Sequence, residues 1–347
     1  MGKPTTKDVA KAAGVSLATV DRVLNARAGV RQATVERVQK AIREIDFVRD
    51  IAAANLARGK DYQLVFVLPD QDDEFIGLIQ QALAETNRIM AHERTRISII
   101  RPPANDPYKI ALALEELALS QIDGVAIMAP ETPHVRDAIA RLIGRGIAVV
   151  AFASSQTSTE SATFIGVNNK AAGRTVAQLM ARFTGERQGR ILVLTDSMQA
   201  RDSQERRLGF DTIMAKYTPR LHVLSSMETY GDPQRTKQII KAALRSQRPI
   251  AGVYLMHHDI KTSMDALYEN GLPQEAVVVG HELTPHTRAC LLDGRMDAVI
   301  TQDVGHLVRS SIRVLRAKIT QLETVASQER IRIEIILREN MPEVMAQ

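Results

Sequence analysis

The chain has 347 residues, 45% hydrophobic and 24% charged, an ordinary globular composition long enough for two or three domains with sizeable cores. One cysteine, Cys290, excludes an internal disulfide framework and fits a reducing compartment. Residues 1–14 lack the apolar stretch of a secretory signal, and apolar runs such as 148–153 fall far short of a membrane span. The expectation is therefore a cytoplasmic protein with no membrane partner.

The net charge of +5 is unevenly placed. Residues 1–60 hold 12 Lys/Arg against 6 Asp/Glu, and the rest of the chain holds 33 against 34. A local basic footprint is what binding to a phosphate backbone requires; a solvated basic helix surface is the alternative.

Residues 5–46 read as three short helices. Thr5, with Asp8 three residues on, opens the first, whose apolar face is Val9, Ala10 and Ala13; Gly14 stops it. Ser16 caps a second helix running through Leu24, with Val20, Val23 and Leu24 pointing inward and Leu17, Ala18, Asp21 and Arg22 on the opposite face. Val35, Val38, Ile42 and Ile45 give the third helix the spacing that closes a small core. Two helices joined by the tight turn Ala13-Gly14-Val15-Ser16 form a helix-turn-helix pattern, whose second helix is presented to the major groove. Residues 50–58 could form one further short, Ala-rich helix with too little apolar surface to fold alone, and read as a linker ordered by a partner.

Beyond residue 61, apolar runs at 64–69, 97–100, 124–129, 148–153, 190–195, 222–227, 252–256 and 276–280 alternate with amphipathic stretches at 75–92, 107–120, 132–145, 169–184, 204–216, 233–247 and 259–270. Such alternation means parallel sheets covered on both faces. Four strands on each side of residue 160 imply two α/β lobes, and late strands at 297–302 and 331–337, flanking a helix at 304–323, read as crossovers between them. The expected organisation is an all-α head at 1–49, a linker at 50–60, a first lobe at 61–160 plus 302–323, and a second at 161–301 plus 328–340. A cleft between two such lobes is a natural small-molecule site.

The head closely resembles the DNA-binding domain of the lactose-repressor (LacI) family. The shared elements are Asp8-Val9-Ala10, Ala13-Gly14-Val15-Ser16, Ala18-Thr19-Val20, Arg22-Val23-Leu24-Asn25, Thr34 and Arg37-Val38. The remainder is similar, more loosely, to that family's core, which resembles periplasmic sugar-binding proteins of type I. Its signposts are Leu68-Pro69-Asp70, Ile122-Asp123-Gly124-Val125, Ile165-Gly166-Val167-Asn168-Asn169, Arg206 with Gly209-Phe210, His258-Asp259, Gly280-His281-Glu282 and Thr301-Gln302-Asp303.

The resemblance implies that Leu17, Ala18 and Arg22 face base edges. Of the three, Arg22 alone has a bidentate fork for guanine, while the other two offer apolar contact. Thr5, Ser16, Thr19, Asn25 and Thr34 match phosphate-holding positions, although Thr5 and Ser16 would serve as helix caps even without DNA. Residues 50–58 match a hinge helix that folds on the operator, where Ala53 and Leu56 enter the minor groove; packing of Leu56 on the core is the other reading. For the cleft, the resemblance implies effector contacts from Asp70, Phe75, Asn168, Arg206, Asp259, Glu282 and Gln302. Each of these could also be structural.

Departures from the pattern are informative. Asp21 stands where a serine near a phosphate is usual, Arg31 where a helix-capping serine is usual, and Arg49 where a proline usually precedes the hinge. Asn168, His258 and Glu282 replace the commoner aspartate, asparagine and aspartate, which points away from a typical hexose.

Other chemistries find little support. His257 and His258 are adjacent, so on a strand they face opposite ways and cannot chelate together. No phosphate-loop, dinucleotide or nucleophile-elbow motif occurs, and Asp72-Asp73 reads as a solvated loop, so neither an enzyme nor a cofactor is expected. The implied function is operator binding as a homodimer, most simply repression, modulated by a sugar, polyol or related metabolite. The rivals are a transporter's solute-binding protein, which the core alone would permit, and a basic module that contacts protein.

Overall fold

The computed structural model describes residues 4–24, 29–45, 47, 61–71, 73–104, 106–154, 163–217, 220–257 and 260–343. The expected hinge segment with Ala53 and Leu56, together with Asn25 and Asp259, lies outside the described residues. The chain divides into two compact units, Met1–Asp61 and Tyr62–Gln347.

In the first unit, α1 (Thr6–Ala13), α2 (Leu17–Leu24) and α3 (Gln32–Glu44) follow the apolar spacing of the sequence. Thr5 heads α1: its hydroxyl and its N–H both donate to the Asp8 carboxylate at 2.7 Å, and these bonds hold the Asp8 carboxyl below its ordinary value. Gly14 ends the helix at φ 64°, a left-handed conformation that costs a glycine little. Ser16 Oγ accepts the Thr19 N–H at 3.2 Å, so α2 starts where its cap residue places it. Val9, Ala13, Val20, Val38, Ala41 and Phe47 are buried together, with Val23, Leu24, Ile42 and Ile45 packed around them. Arg31 occupies the N-cap of α3 and supplies no side-chain cap bond.

The second unit contains two sheets. The first consists of β1 (Tyr62–Val67), β2 (Thr95–Ile100), β3 (Gly124–Ile127), β4 (Ala148–Phe152) and β5 (Thr163–Ile165), in the order β2-β1-β3-β4-β5, all parallel. Helices α4 (Glu74–Met90), α5 (Pro107–Leu119) and α6 (Pro133–Gly144) cover it. Each starts at an Asp or Thr cap that accepts a backbone N–H, and α5 and α6 carry Pro in the first turn.

The second sheet comprises β6 (Gly189–Thr195), β7 (Leu221–Val223), β8 (Met227–Glu228), β9 (Ile250–Leu255), β10 (Val277–His281), β11 (Ala298–Thr301) and β12 (Glu334–Ile336). Its order is β12-β11-β10-β9-β6-β7, with β8 also beside β6, and only β12 runs antiparallel to its neighbour. Its helices are α7 (Asn169–Phe183), α8 (Arg201–Met214), α9 (Pro233–Ser246), α10 (Lys261–Glu269) and α11 (Pro285–Leu292).

One helix belongs to the other lobe. α12 (Val304–Thr320) follows β11 directly, yet its buried Leu307, Val308, Ile312 and Leu315 join Phe66, Phe152 and Ile165 in the first lobe's core. The chain therefore crosses between lobes after β5, after β11 and again before β12.

Three details differ from the sequence reading. Residues 163–165, expected in the second lobe, pair with β4 (Val150 opposite Thr163), so the first lobe extends to Ile165 and the boundary at residue 160 falls one strand early. A three-residue strand opening on a threonine carries no apolar run to reveal it. The run at 222–227 splits into β7 and β8. The late strands are members of the second sheet, and the crossovers are the connections that adjoin them.

Leu315→Ala is expected to destabilise the core by about 2–5 kcal/mol, because it opens a cavity against the first sheet. Urea unfolding monitored by circular dichroism checks this. An unchanged midpoint would mean that α12 does not complete the first lobe.

Candidate functional site

The head offers one exposed helical face. Val20 turns inward from α2, which leaves Leu17, Ala18 and Arg22 exposed on the other side. Arg22 makes no ion pair with another described residue, so its guanidinium fork is available. Thr5 and Ser16 are exposed and engaged as caps, and the Thr19 hydroxyl lies 2.8 Å from Ser16 Oγ. Thr34 sits half-buried in the first turn of α3.

In the core, the predicted effector residues separate into groups. Phe75, Glu282 and Gln302 come together: all three are buried and line a cavity of about 270 Å³. Phe75 enters from the first lobe, at the start of α4, where Asp73 caps the helix by accepting the Phe75 N–H at 2.7 Å. Glu282 follows β10 and Gln302 follows β11, at the carboxyl ends of second-lobe strands.

Glu282 is held in an unusual backbone state, with φ at 61°. Its N–H bonds Ile300 O at 2.8 Å, and its carbonyl accepts the Thr287 hydroxyl at 2.8 Å. A left-handed conformation costs a non-glycine residue about 1–2 kcal/mol, so these bonds fix the carboxylate's direction against strain. That carboxylate accepts Gln302 Nε2 at 3.0 Å and the Thr301 hydroxyl at 3.4 Å. Gln302 Oε1, in contrast, is buried without a hydrogen-bond partner.

Arg206 sits apart from this cavity's lining. Its guanidinium is buried, donating from Nε to Asn169 Oδ1 at 2.9 Å and from Nη1 to the Met256 carbonyl at 2.6 Å. The seat depends on two glycines. A Cβ on Gly173 would lie 1.9 Å from Arg206 O, and one on Gly209 would lie 2.1 Å from Lys170 O. Helices α7 and α8 therefore touch backbone to backbone, which explains the spacing Arg206-x-x-Gly209. Phe210 then packs on Tyr254 with ring centroids 4.8 Å apart, and the Tyr254 hydroxyl reaches His281 Nε2 at 2.9 Å.

Two predicted residues are occupied elsewhere. Asp70 is exposed and pairs with Arg101 at 3.2 Å. Asn168 is exposed and caps α7 by accepting the Ala171 N–H at 2.9 Å.

Sequence reasoning missed Leu78, Leu283, Asp303 and Glu334 as cavity lining. Asp303 lies beside Gln302 in the quoted motif and could have been found; Glu334 arrives only through antiparallel pairing with Thr301. It also missed two ties between the lobes. Glu131 Oε2 lies 3.5 Å from Arg201 Nη1, and Glu74 Oε2 accepts the His286 N–H at 3.0 Å.

Among the described residues no group of three or more His, Cys, Asp or Glu could hold a metal ion, and no helix is long and apolar enough to cross a membrane. Burial pushes the Cys290 thiol up to about 11, so it carries little thiolate near neutrality.

The geometry defines a class: a two-lobed, ligand-accommodating α/β core preceded in sequence by a helix-turn-helix head. The chain belongs to the periplasmic binding protein domain family, matched over residues 64–323, and its residues 5–50 match the bacterial regulatory proteins of the lacI family. It is 26% identical over 258 residues to the maltose regulon regulatory protein MalI of Escherichia coli (strain K12), covering 74% of this chain and 73% of that protein. It is 21% identical to catabolite control protein A of Staphylococcus xylosus, over 69% of this chain and 70% of that one. A glucose-galactose binding protein from Geobacillus stearothermophilus superposes with a TM-score of 0.73 at 14% identity, covering 82% of this chain and all of that one, which supports the fold alone. The protein is thus a DNA-binding transcription regulator.

Gly209→Ala is expected to cost at least about 1–3 kcal/mol, because backbone must move to admit the methyl group. Calorimetry measures the loss. A variant as stable as the parent would contradict the contact that seats Arg206.

Proposed function

We propose that this regulator binds a pseudo-palindromic operator as a homodimer and represses transcription, with affinity set by a small polar metabolite held between the core lobes. What supports the first half is the exposed face of α2, where Arg22 stands clear beside Leu17 and Ala18 while Val20 anchors the helix from behind. Arg22 reads a guanine; Leu17 and Ala18 take apolar contacts such as a thymine methyl. Thr5, Ser16, Thr19, Asn25 and Thr34 hold phosphates, with Thr5 and Ser16 doing so while capping their helices. Ala53 and Leu56 contact the minor groove from the segment that joins head to core in sequence. Two-fold symmetry of the protein matches that of its site.

Supporting the second half is the convergence of Phe75 from one lobe with Glu282 and Gln302 from the other. A ligand gripped by both lobes favours one lobe arrangement. By linkage, DNA affinity then changes only so far as the head's operator-bound state prefers that same arrangement or the other. Arg206, fixed from behind by Asn169 and Met256, supplies further donors to the ligand, joined by Asp259. The protein works in the cytoplasm and catalyses no reaction. Relatives named as transcription regulators support that reading.

A gel shift on the protein's own upstream region, with a panel of sugars and polyols, tests the whole reading. Specific binding altered by one compound is the expected result, and no specific shift at low or moderate salt would return the core to the solute-binding class. Arg22→Ala should lose about 1–3 kcal/mol of discrimination between operator and scrambled duplex, measured by fluorescence anisotropy, while salt-dependent non-specific binding persists. Undiminished discrimination would remove Arg22 from base readout.

A further inference from the structure

The first turn of α11 is completed from the other lobe. Within the turn, Thr284 Oγ1 accepts the Thr287 N–H at 3.3 Å, the Thr284 carbonyl accepts the Arg288 N–H at 2.9 Å, and Pro285 has no N–H. The His286 N–H is left over, and Glu74 Oε2 accepts it at 3.0 Å. Glu74 is the first residue of α4, in the first lobe. A carboxylate is stabilised near a helix N-terminus, and Glu74 stands at two of them, that of its own helix and that of α11.

The turn that receives Glu74 also carries Glu282. Its Thr287 hydroxyl donates to the Glu282 carbonyl at 2.8 Å and the Thr284 N–H does so at 3.1 Å, which holds the left-handed backbone of Glu282. On the first-lobe side, Glu74 lies between Asp73, whose carboxylate accepts the Phe75 N–H, and Phe75 itself. One hydrogen bond therefore joins the two turns that bring Phe75 and Glu282 to the cavity from opposite lobes.

A second tie lies elsewhere across the cleft. Arg201 opens α8, where the helix dipole opposes a cation, and two carboxylates hold it there. Glu205, in the same helix, accepts from Nε at 2.9 Å, and Glu131 Oε2 of the first lobe lies 3.5 Å from Nη1. Glu74 and Glu131 follow β1 and β3, which are neighbours in the first sheet. Their receivers follow β10 and β6, which β9 separates in the second sheet. A single contact would be a pivot, whereas two at separate points also resist twisting of one lobe against the other.

We propose that Glu74 is a positioning residue of the cleft, closing it in concert with the Glu131–Arg201 pair so that Phe75 meets Glu282. The two ties act as one latch on this lobe arrangement, and an arrangement that separates the lobes loses both. Contacts made in one arrangement shift the equilibrium toward it without any small molecule. The latch's effect on DNA rests on the proposed coupling of the cleft to the operator.

Hydrogen exchange of the full-length protein, read by mass spectrometry on peptides spanning residues 283–288, tests the latch. Glu74→Ala should speed exchange of the His286 amide about threefold, the size expected of a solvent-exposed tie. Glu74→Gln keeps an acceptor oxygen and should restore most of the protection. Arg201→Gln should speed the same amide although it breaks the other tie, and about 0.5 M salt should narrow the difference from the parent. With no small molecule added, Glu74→Ala and Arg201→Gln should shift affinity for the protein's own upstream duplex in the same direction, by about threefold. His286 exchange that ignores Arg201→Gln would reduce Glu74 to a local helix cap and overturn the latch, as would operator shifts of opposite sign. Unchanged operator affinity, or a parent that does not bind the duplex, would overturn control of DNA while the response of His286 to Arg201→Gln upholds the latch.

Discussion

The apolar face of α12 has to be buried, and the surface that buries it belongs to the first sheet although the strand before it belongs to the second. Leu307, Val308, Ile312 and Leu315 can leave water only by crossing to Phe66, Phe152 and Ile165. That requirement draws the chain back across the cleft, and β12 must cross once more to pair with β11. With the earlier passage after β5, the lobes are joined by connections that neither can shed without exposing its core.

The polar machinery collects at these crossings. Asn168 and Asn169 stand on the first, Gln302 and Asp303 on the second, and Glu334 at the end of the third. A crossing segment leaves one sheet before it reaches the other, and at the second crossing this sets Gln302 and Asp303 beside the cavity. The strained Glu282 backbone and the orphaned Gln302 acceptor sit beside the second crossing, where hydrogen bonds from Thr287 and to Ile300 hold a geometry that a relaxed chain would abandon. Arg206 is arranged differently, wedged by the backbone contact of α7 with α8 and fully dependent on Gly173 and Gly209.

How much of this was legible in the sequence depended on the range of the interaction. Local signals worked: the Asp and Thr caps with Pro in the first turn mark α5, α6 and α9, and the spacing of Val20, Val38, Ile42 and Ile45 marks the head's small core, to which the structure adds Ala41 but not Val35. Short or weakly patterned elements escaped. β5 has only three residues, and α11 mixes His, Thr and Arg with its apolar positions, although Thr284-Pro285 announces its start. Among site residues, Glu282 and Gln302 stand at strand ends and Phe75 at a helix start, and each could be named individually. That they share a cavity with Glu334 follows from an antiparallel pairing set by tertiary packing, for which no local pattern exists. Asp70 and Asn168 show the converse: both fit the motif, yet Arg101 engages one and the first turn of α7 the other.

Coupling between the cleft and the DNA-binding head is the central claim, and thermodynamic reciprocity tests it whether the effector releases DNA or promotes its binding. The effector's dissociation constant would be measured by titration with and without saturating operator duplex, and the operator's with and without saturating effector. The account predicts that both ratios are the same factor, in the range of about 5–150-fold that couplings of a few kcal/mol produce. An effector that binds the cleft with the same affinity whether or not operator is present would contradict it.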